Sequence, residues 1–316
     1  MGVNAEASRH GPRRLLQYSH ALWDMGRPLF LAGTLPLYLL GIAAAFHHGY
    51  PIRLNTALLG VVLLWLIQLT THYNNEYFDL ETDLATKMPT RISGGSRALV
   101  RGLAPRKAAR IAAVTCLLLA TGLAIALVAV PGVGKPVLAF IGAGLAIGWF
   151  YSGPPVKLVA RGLGEASIVT ASCLLLPFMA YYIQSGALSL SLLFACIPPA
   201  ILTFSVILAS ELPDIDADRL TGKMTVVARL GTNRAVRLHA TLLVLGWLLS
   251  IPLSAHLWAS WGWLATLAGA PLVIVGLTGA KASAEGQTAA MERTGLATSL
   301  VLGYSTLVLA AMFLAA

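Results

Sequence analysis

The stretch TALLGVVLLWLIQLTTHYNNEYFDLETD, residues 56–83, begins as an apolar segment and ends in a cluster of acidic side chains. Its apolar part is long enough to cross the roughly 30 Å hydrocarbon core of a bilayer as a helix. Its final turns hold Glu76, Asp79, Glu81 and Asp83. Carboxylates at the edge of a hydrophobic span are costly and usually mark a functional site. The stretch therefore predicts a transmembrane helix with a functional site at one end.

A second acidic cluster, ELPDIDAD at residues 211–218, closes another apolar segment. In the first cluster, the spacing i, i+4 and i+8 places three oxygen-bearing side chains on one helical face: Asn75, Asp79 and Asp83. Asp214 and Asp218 repeat the i, i+4 spacing. Two such faces brought together would form a dense cage of oxygen ligands. Such a cage suits Mg²⁺ and a diphosphate better than a soft metal.

The remaining acidic residues of the two clusters lie beside these faces. Glu76 and Glu81 are off the main face of the first cluster, and Asp216 is off that of the second. Glu211 lies three residues before Asp214 on a compatible face, which makes it a candidate further metal ligand. The alternative reading of the aspartates is structural ion pairing with basic loop residues, but the doubled spacing favours a metal site.

The composition excludes an ordinary soluble domain. Of the 316 residues, 57% are hydrophobic and only 11% are charged, whereas soluble domains carry roughly a quarter charged residues. Nine apolar segments are near the length of a membrane span, although the fourth is short. They lie near 29–46, 56–78, 108–130, 136–151, 166–184, 189–210, 235–255, 258–280 and 296–315. We therefore predict an all-α, polytopic membrane protein of nine transmembrane helices.

The distribution of basic residues predicts the orientation. The N-terminal segment and the loops after spans two, four, six and eight hold 20 of the 22 Lys and Arg residues, and only Arg53 and Lys135 fall on the other side. The positive-inside rule therefore places the N-terminus and both acidic clusters in the cytoplasm. The net charge of +9 thus reflects topology, with some attraction to anionic lipid, and argues against nucleic-acid binding. We expect an integral protein of a prokaryotic cytoplasmic membrane.

The chain reads as one membrane domain with a weak internal repeat. Residues 1–26 are predicted to form a cytoplasmic lead-in, and residues 27–316 a single transmembrane domain. The acidic clusters follow spans two and six, and this even offset is typical of a parallel repeat. We expect two helix bundles around a central cavity. The loops 84–107 and 219–234, which are the longest, should cap it on the cytoplasmic side.

Three motifs on this predicted face resemble those of the UbiA superfamily of intramembrane prenyltransferases. The matching motifs are Asn75-x-x-x-Asp79-x-x-x-Asp83, then Tyr151-Ser152-Gly153 with Lys157 and Arg161-Gly162-Leu163-Gly164-Glu165, and finally Asp214-x-x-x-Asp218 with Gly222-Lys223-x-Thr225. The resemblance covers nearly the whole chain. The residues of these motifs are most similar to those of the branch that prenylates 1,4-dihydroxy-2-naphthoate in menaquinone synthesis.

The resemblance implies the substrates, the cofactor and the roles of the site residues. The substrates would be a polyprenyl diphosphate and an aromatic acceptor, and the cofactor would be Mg²⁺, as two ions. The expected metal ligands are Asn75, Asp79, Asp83, Asp214 and Asp218, and the aspartates act in catalysis through these ions. The expected diphosphate ligands are Asn75, Arg97, Lys157, Arg161 and Lys223. Tyr151 would lie beside the allylic cation, and Lys157 would join Tyr151 and the aspartates in catalysis.

Departures from the family pattern leave alternatives open. Position 76 is Glu where many members have Asp, and Glu211 replaces an Asn that is frequent in the quinone branches. The acceptor could therefore differ, or the enzyme could cyclise a terpene with no acceptor. A cation-coupled transporter is a further alternative, because membrane carboxylates often carry ions. It is disfavoured because the acidic residues lie at the cytoplasmic ends of the spans.

Overall fold

The fold is all-helical. A computed structural model describes residues 11–257 and 262–315, and every regular element in these two ranges is a helix. Eight helical segments are long and apolar enough to cross a membrane, and Val137–Ser152 is a shorter apolar helix. The predicted all-α membrane architecture is therefore confirmed. The count of nine spans and the cytoplasmic orientation stay predictions, and the first ten residues of the predicted lead-in lie outside the described ranges.

The helices fall into two groups along the chain. The first group comprises α1 (Gly11–Gly26), α2 (Pro28–Gly33), α3 (Leu35–His47), α4 (Leu54–Ala85), α5 (Arg106–Val128), α6 (Val137–Ser152), α7 (Gly164–Val169) and α8 (Leu176–Ser185). The second comprises α9 (Leu190–Glu211), α10 (Ile215–Leu220), α11 (Val226–Leu230), α12 (Thr232–Leu257), α13 (Gly262–Leu267), α14 (Ala270–Ala284) and α15 (Thr288–Ala315). A 3₁₀ turn, Leu158–Arg161, precedes α7.

Proline explains two irregular segments. A π-helical turn, Thr170–Leu175, joins α7 to α8 just before Pro177. Because proline has no N–H to donate, the helix adjusts its hydrogen bonding over the preceding turn. A 3₁₀ turn, Leu212–Asp214, likewise interrupts the helix after α9, and it contains Pro213. The second acidic cluster is therefore split between α9, this turn and α10, and does not form one continuous helical face.

Packing between the groups brings the two acidic clusters together. In the first group α4 packs against α5 and α6, and in the second α9 packs against α12 and α15. Helix α3 joins the groups because it contacts both α8 and α15. The short helix α10 packs against α4. This last contact places the end of the second acidic cluster beside the first.

Glycine allows α6 to approach α4 closely. A Cβ atom on Gly148 would overlap the Thr71 hydroxyl, and one on Gly144 would lie 3.7 Å from the Cγ2 atom of Ile67. Gly148 is therefore required for this helix spacing, since well-packed interiors have no room for an added methyl group. One turn further on, α6 ends at Ser152, which faces the acidic end of α4.

Candidate active site

The first acidic face is organised by a serine from α6. Ser152 donates a hydrogen bond of 2.5 Å to the Asn75 side-chain oxygen, and its hydroxyl lies 3.4 Å from Asp79 Oδ2. Ser152 itself is buried. Asn75 and Asp79 therefore share a face, as their spacing predicts. The linking role of Ser152 was not predicted, because a serine within a Tyr-Ser-Gly motif carries no signal of which helix it will face.

A lysine from the second half of the chain bridges the two clusters. Lys223 Nζ lies 2.6 Å from Asp79 Oδ2, and the two side chains are only 16% and 9% exposed. Burial acts to lower the pKa of Lys223, but the carboxylates of Asp79 and Asp218 outweigh it, so the pKa is raised above its ordinary value. Lys223 therefore stays charged, and it supplies a cation to both acidic clusters.

The loop after α4 supplies hydrogen-bond donors to both clusters. Asp214 accepts hydrogen bonds from the Thr86 hydroxyl at 3.1 Å and from the Gly94 N–H at 2.9 Å. Arg97 donates to the main-chain carbonyl of Asp83. A Cβ on Gly95 would overlap the Asp83 carboxylate, so this backbone runs directly against that side chain. The loop therefore closes over the acidic ends of α4 and α10, as its glycine-rich sequence predicts.

The second cluster is partly satisfied by its own loop. Asp218 is buried and accepts a hydrogen bond of 3.3 Å from the Thr225 hydroxyl. Thr225 also caps α11 by accepting from the Ala228 N–H at 3.1 Å. The Glu165 carboxylate accepts from the N–H of Val226, the next residue. The start of α11 is therefore held against both α10 and α7.

Tyr151 and Glu211 also lie in this region. The Tyr151 ring packs against Gly164, because a Cβ there would lie 3.4 Å from the ring. Tyr151 immediately precedes Ser152, which contacts the first acidic face. Among the described residues, one oxygen of Glu165 and one of Glu211 are buried without a hydrogen-bond partner. Such unpaired buried oxygens are costly, and either a proton shared between these two neighbouring carboxyl groups or a bound cation would satisfy them.

The structure does not bring every predicted residue to the acidic groups. Lys157 is exposed and makes no salt bridge among the described residues. Arg161 is also exposed, and it donates a 3.3 Å hydrogen bond to the Pro155 carbonyl. Their roles at a diphosphate stay predictions. Asp216 and Glu81 are exposed, which agrees with their positions off the two helical faces.

The oxygen-rich donor set fits a hard divalent cation bound together with a diphosphate. Within the described ranges, no three His, Cys, Asp or Glu side chains are close enough together to hold a metal ion by themselves. Three of the four aspartates are instead hydrogen-bonded to the protein: Asp79 to Lys223, Asp214 to Thr86 and Gly94, and Asp218 to Thr225. Oxygen donors and an unpartnered Glu211 oxygen nevertheless match the ligands that Mg²⁺ prefers, with substrate phosphates completing the coordination.

Residues 34–292 match the sequence profile of the UbiA prenyltransferase family. The chain belongs to the UbiA prenyltransferase family. The family resemblance read from the three motifs is therefore confirmed, and the chain is a prenyltransferase. The match spans both acidic clusters and the intervening motif, so it includes every candidate site residue described above.

Curated relatives of this UbiA family member share most of its length. It is 32% identical to the 1,4-dihydroxy-2-naphthoate octaprenyltransferase of Bacillus subtilis, over 69% of this chain and 68% of the relative. It is 31% identical to the enzyme of the same name from Escherichia coli, over 76% of this chain and 80% of the relative. The predicted similarity to this branch is therefore confirmed.

A solved structure shares the fold. The UbiA homolog from Archaeoglobus fulgidus, determined with DMAPP and Mg²⁺ bound, aligns with a TM-score of 0.53 over 91% of this chain and 98% of its own. The sequence identity is 18%. This similarity supports the all-helical membrane architecture.

Proposed function

We propose that this protein transfers a polyprenyl group from an allylic diphosphate to 1,4-dihydroxy-2-naphthoate, as a step of menaquinone synthesis. The observation that carries the proposal is the convergence of both acidic clusters on one site, where Lys223 of the second half contacts Asp79 of the first. Two relatives that carry the 1,4-dihydroxy-2-naphthoate octaprenyltransferase name match 69% and 76% of the chain. The site would face the cytoplasm in a prokaryotic membrane, because the basic loops lie on the same side.

The residues of the site suit a leaving diphosphate. Asp79, Asp83, Asp214 and Asp218, with Asn75 and Glu211, would hold two Mg²⁺ ions. When bound, Mg²⁺ would supply positive charge that stabilises the leaving diphosphate as the allylic C–O bond breaks. Lys223 would exchange its contact with Asp79 for one with the diphosphate. Its charge is already in place, so no proton needs to be recruited when the leaving group forms.

The loop between α4 and α5 would complete the diphosphate site. The Gly94 N–H donates to the Asp214 carboxylate, and the Arg97 guanidinium donates to the main-chain carbonyl of Asp83. Backbone N–H groups in a glycine-rich turn, together with an arginine, are typical ligands for phosphate oxygens. Lys157 and Arg161 would approach from the segment after α6. Both side chains are exposed and lie away from the carboxylates, so each would have to move to reach the diphosphate.

The aromatic acceptor would bind next to Tyr151. Tyr151 immediately precedes Ser152, which contacts the first acidic face, and its ring packs against Gly164, so its π face could stabilise an allylic cation. The electron-rich acceptor ring would then attack the cation, and the ring carbon that forms the new bond would lose either its proton or its carboxylate, the latter as CO₂. The prenyl tail would lie among apolar side chains that open towards lipid.

An acceptor panel tests this proposal. Purified protein in nanodiscs, with Mg²⁺ and geranylgeranyl diphosphate, is offered 1,4-dihydroxy-2-naphthoate, 4-hydroxybenzoate or homogentisate, with a control lacking acceptor. We expect a prenylated naphthoate product by mass spectrometry. A product from another aromatic compound would reassign the acceptor, and a cyclic hydrocarbon without acceptor would indicate a cyclase. No Mg²⁺-dependent diphosphate release from any allylic donor would overturn the transferase proposal and reopen the transporter.

A further inference from the structure

Glu76 is the one buried acid of the first cluster whose carboxylate is fully engaged by hydrogen-bond donors from elsewhere in the protein. It is 2% exposed. Its Oε1 atom accepts from the Arg27 guanidinium at 2.7 Å and from the Ser96 N–H at 2.9 Å, and its Oε2 atom accepts from the Ser96 hydroxyl at 2.7 Å. Charge-assisted hydrogen bonds of this length are strong. The carboxylate therefore binds a cation and a loop of the protein and has little capacity left for a metal ion.

Ser96 lies in the middle of the loop segment that closes over the site. On one side of it, the Gly94 N–H donates to Asp214 and the Gly95 backbone packs on Asp83. On the other side, Arg97 donates to the Asp83 carbonyl. Gly94, Gly95 and Arg97 all adopt positive φ angles, of 72°, 70° and 64°. This tight backbone path fixes each of these donors relative to Ser96, so an anchor at Ser96 orients the whole segment.

Arg27, the cation that contacts Glu76, is itself held in place by its surroundings. Arg27 links α1 to α2 with a left-handed φ of 50°, and its neighbour Gly26 accepts a 2.8 Å hydrogen bond from the His72 ring on α4. Tyr73, also on α4, donates to the Leu22 carbonyl of α1 at 3.2 Å. The end of α1 is therefore bound to α4 one turn before Glu76. Arg27 consequently reaches Glu76 from a backbone that is held in place.

We propose that Glu76 is a positioning residue, which together with Arg27 anchors Ser96 so that the segment 93–97 presents the Gly94 N–H and Arg97 to the diphosphate. The contacts of the segment with Asp83 and Asp214 are those that a bound metal–diphosphate would replace. The contact with Glu76 lies outside that set and persists. Glu76 thus acts through the loop and not as a metal ligand. The inference rests on the proposed function only in naming diphosphate as the group that the loop receives.

Limited trypsin digestion tests the anchor without any measurement of activity. The segment contains or adjoins Arg91 and Arg97, and the Arg91 side chain is 82% exposed. In Glu76→Gln the charge that binds Arg27 is lost, and we expect cleavage at these arginines to be about tenfold faster, without Mg²⁺ or donor. The matched control is Glu81→Gln, because Glu81 lies on the same helix, is 79% exposed and only approaches Arg106 at 4.0 Å. The control should digest like the wild type.

Kinetics separate the anchor from a metal ligand. With Glu76→Gln we expect the KM for the allylic diphosphate to rise about tenfold, while the Mg²⁺ concentration for half-maximal diphosphate release stays within about twofold of the wild type. Arg27→Met should give the same two changes, and the double variant should be no worse than either single one. Ser96→Ala, which removes only the hydroxyl contact, provides a milder variant should Glu76→Gln fail to fold.

The inference would be overturned by wild-type digestion of both Glu76→Gln and Ser96→Ala. It would equally be overturned if Glu76→Gln raised the Mg²⁺ requirement at least tenfold with an unchanged digestion pattern, because that result assigns Glu76 to the metal. Failure of the transferase proposal would have a different signature. The acceptor panel would then yield no prenylated aromatic product, while the faster digestion of the loop would still be observed.

Discussion

Gly148→Ala should destabilise the protein and displace Ser152 from the first acidic face. The added Cβ would overlap the Thr71 hydroxyl and lie 3.3 Å from the Thr71 Cβ, so α6 must move away from α4. Overpacking of this kind costs about 1–3 kcal/mol. With an unfolding entropy of about 2.1 cal/mol/K per residue, each kcal/mol shifts the melting temperature of a 316-residue chain by about 1.5 °C. We therefore expect a decrease of about 1.5–5 °C, measured by thermal unfolding in detergent.

Gly142→Ala is the matched control. Gly142 lies on the same helix, but a Cβ there meets no atom within 4 Å. Because alanine is favoured over glycine inside a helix, this variant should be unchanged or more stable by up to about 1 kcal/mol. Thr71→Ala combined with Gly148→Ala should recover part of the lost stability, since it removes the hydroxyl that the new methyl group meets. An equal melting temperature for Gly148→Ala and Gly142→Ala would refute the close α4–α6 contact.

Three further predictions concern the site itself. Ser152→Ala removes the 2.5 Å hydrogen bond to Asn75 and should lower kcat/KM about 3- to 10-fold without a large change in melting temperature. An unchanged kcat/KM would show that Asn75 does not need the hydrogen bond from Ser152. Lys223→Met leaves Asp79 without its 2.6 Å partner. Because a buried carboxylate without a cation is unstable, this variant should have a lower melting temperature in the absence of Mg²⁺, and Mg²⁺ should restore part of the loss. No effect of Mg²⁺ on the melting temperature of this variant would contradict a metal site at Asp79. A chelator should abolish prenyl transfer and added Mg²⁺ should restore it, and product formation in excess chelator would exclude the metal mechanism.

The sequence was sufficient for the fold class and for the face of the first acidic helix. Apolar spans of membrane length, and the i, i+4 spacing of Asn75 and Asp79, depend on local periodicity alone, and the structure places both side chains around Ser152. The convergence of the clusters followed from their repeat after spans two and six. The short apolar segment near 136–151 corresponds closely to the helix Val137–Ser152.

Features that depend on contacts between distant segments could not be predicted. Local sequence patterns cannot predict that Lys223 pairs with Asp79 or that Thr86 faces Asp214, because the two members of each pair lie more than a hundred residues apart. Glu76 lies off the metal-facing side, and only the structure shows its contact with Ser96. The i, i+4 spacing of Asp214 and Asp218 predicts one helical face for the second cluster, but the 3₁₀ turn Leu212–Asp214 after α9 interrupts it.

The central claim, that aspartates from both halves form a single catalytic site, is tested most directly by a double-mutant cycle on Asp79→Asn and Asp214→Asn. The measured quantity is kcat/KM for prenyl transfer to 1,4-dihydroxy-2-naphthoate, with melting temperature as the control for folding. Each single variant should lose about 10²–10³-fold or more, and the double variant should fall little further, because residues that act as a unit are strongly non-additive. Near-normal turnover in either single variant, or losses that multiply in the double variant, would contradict the account.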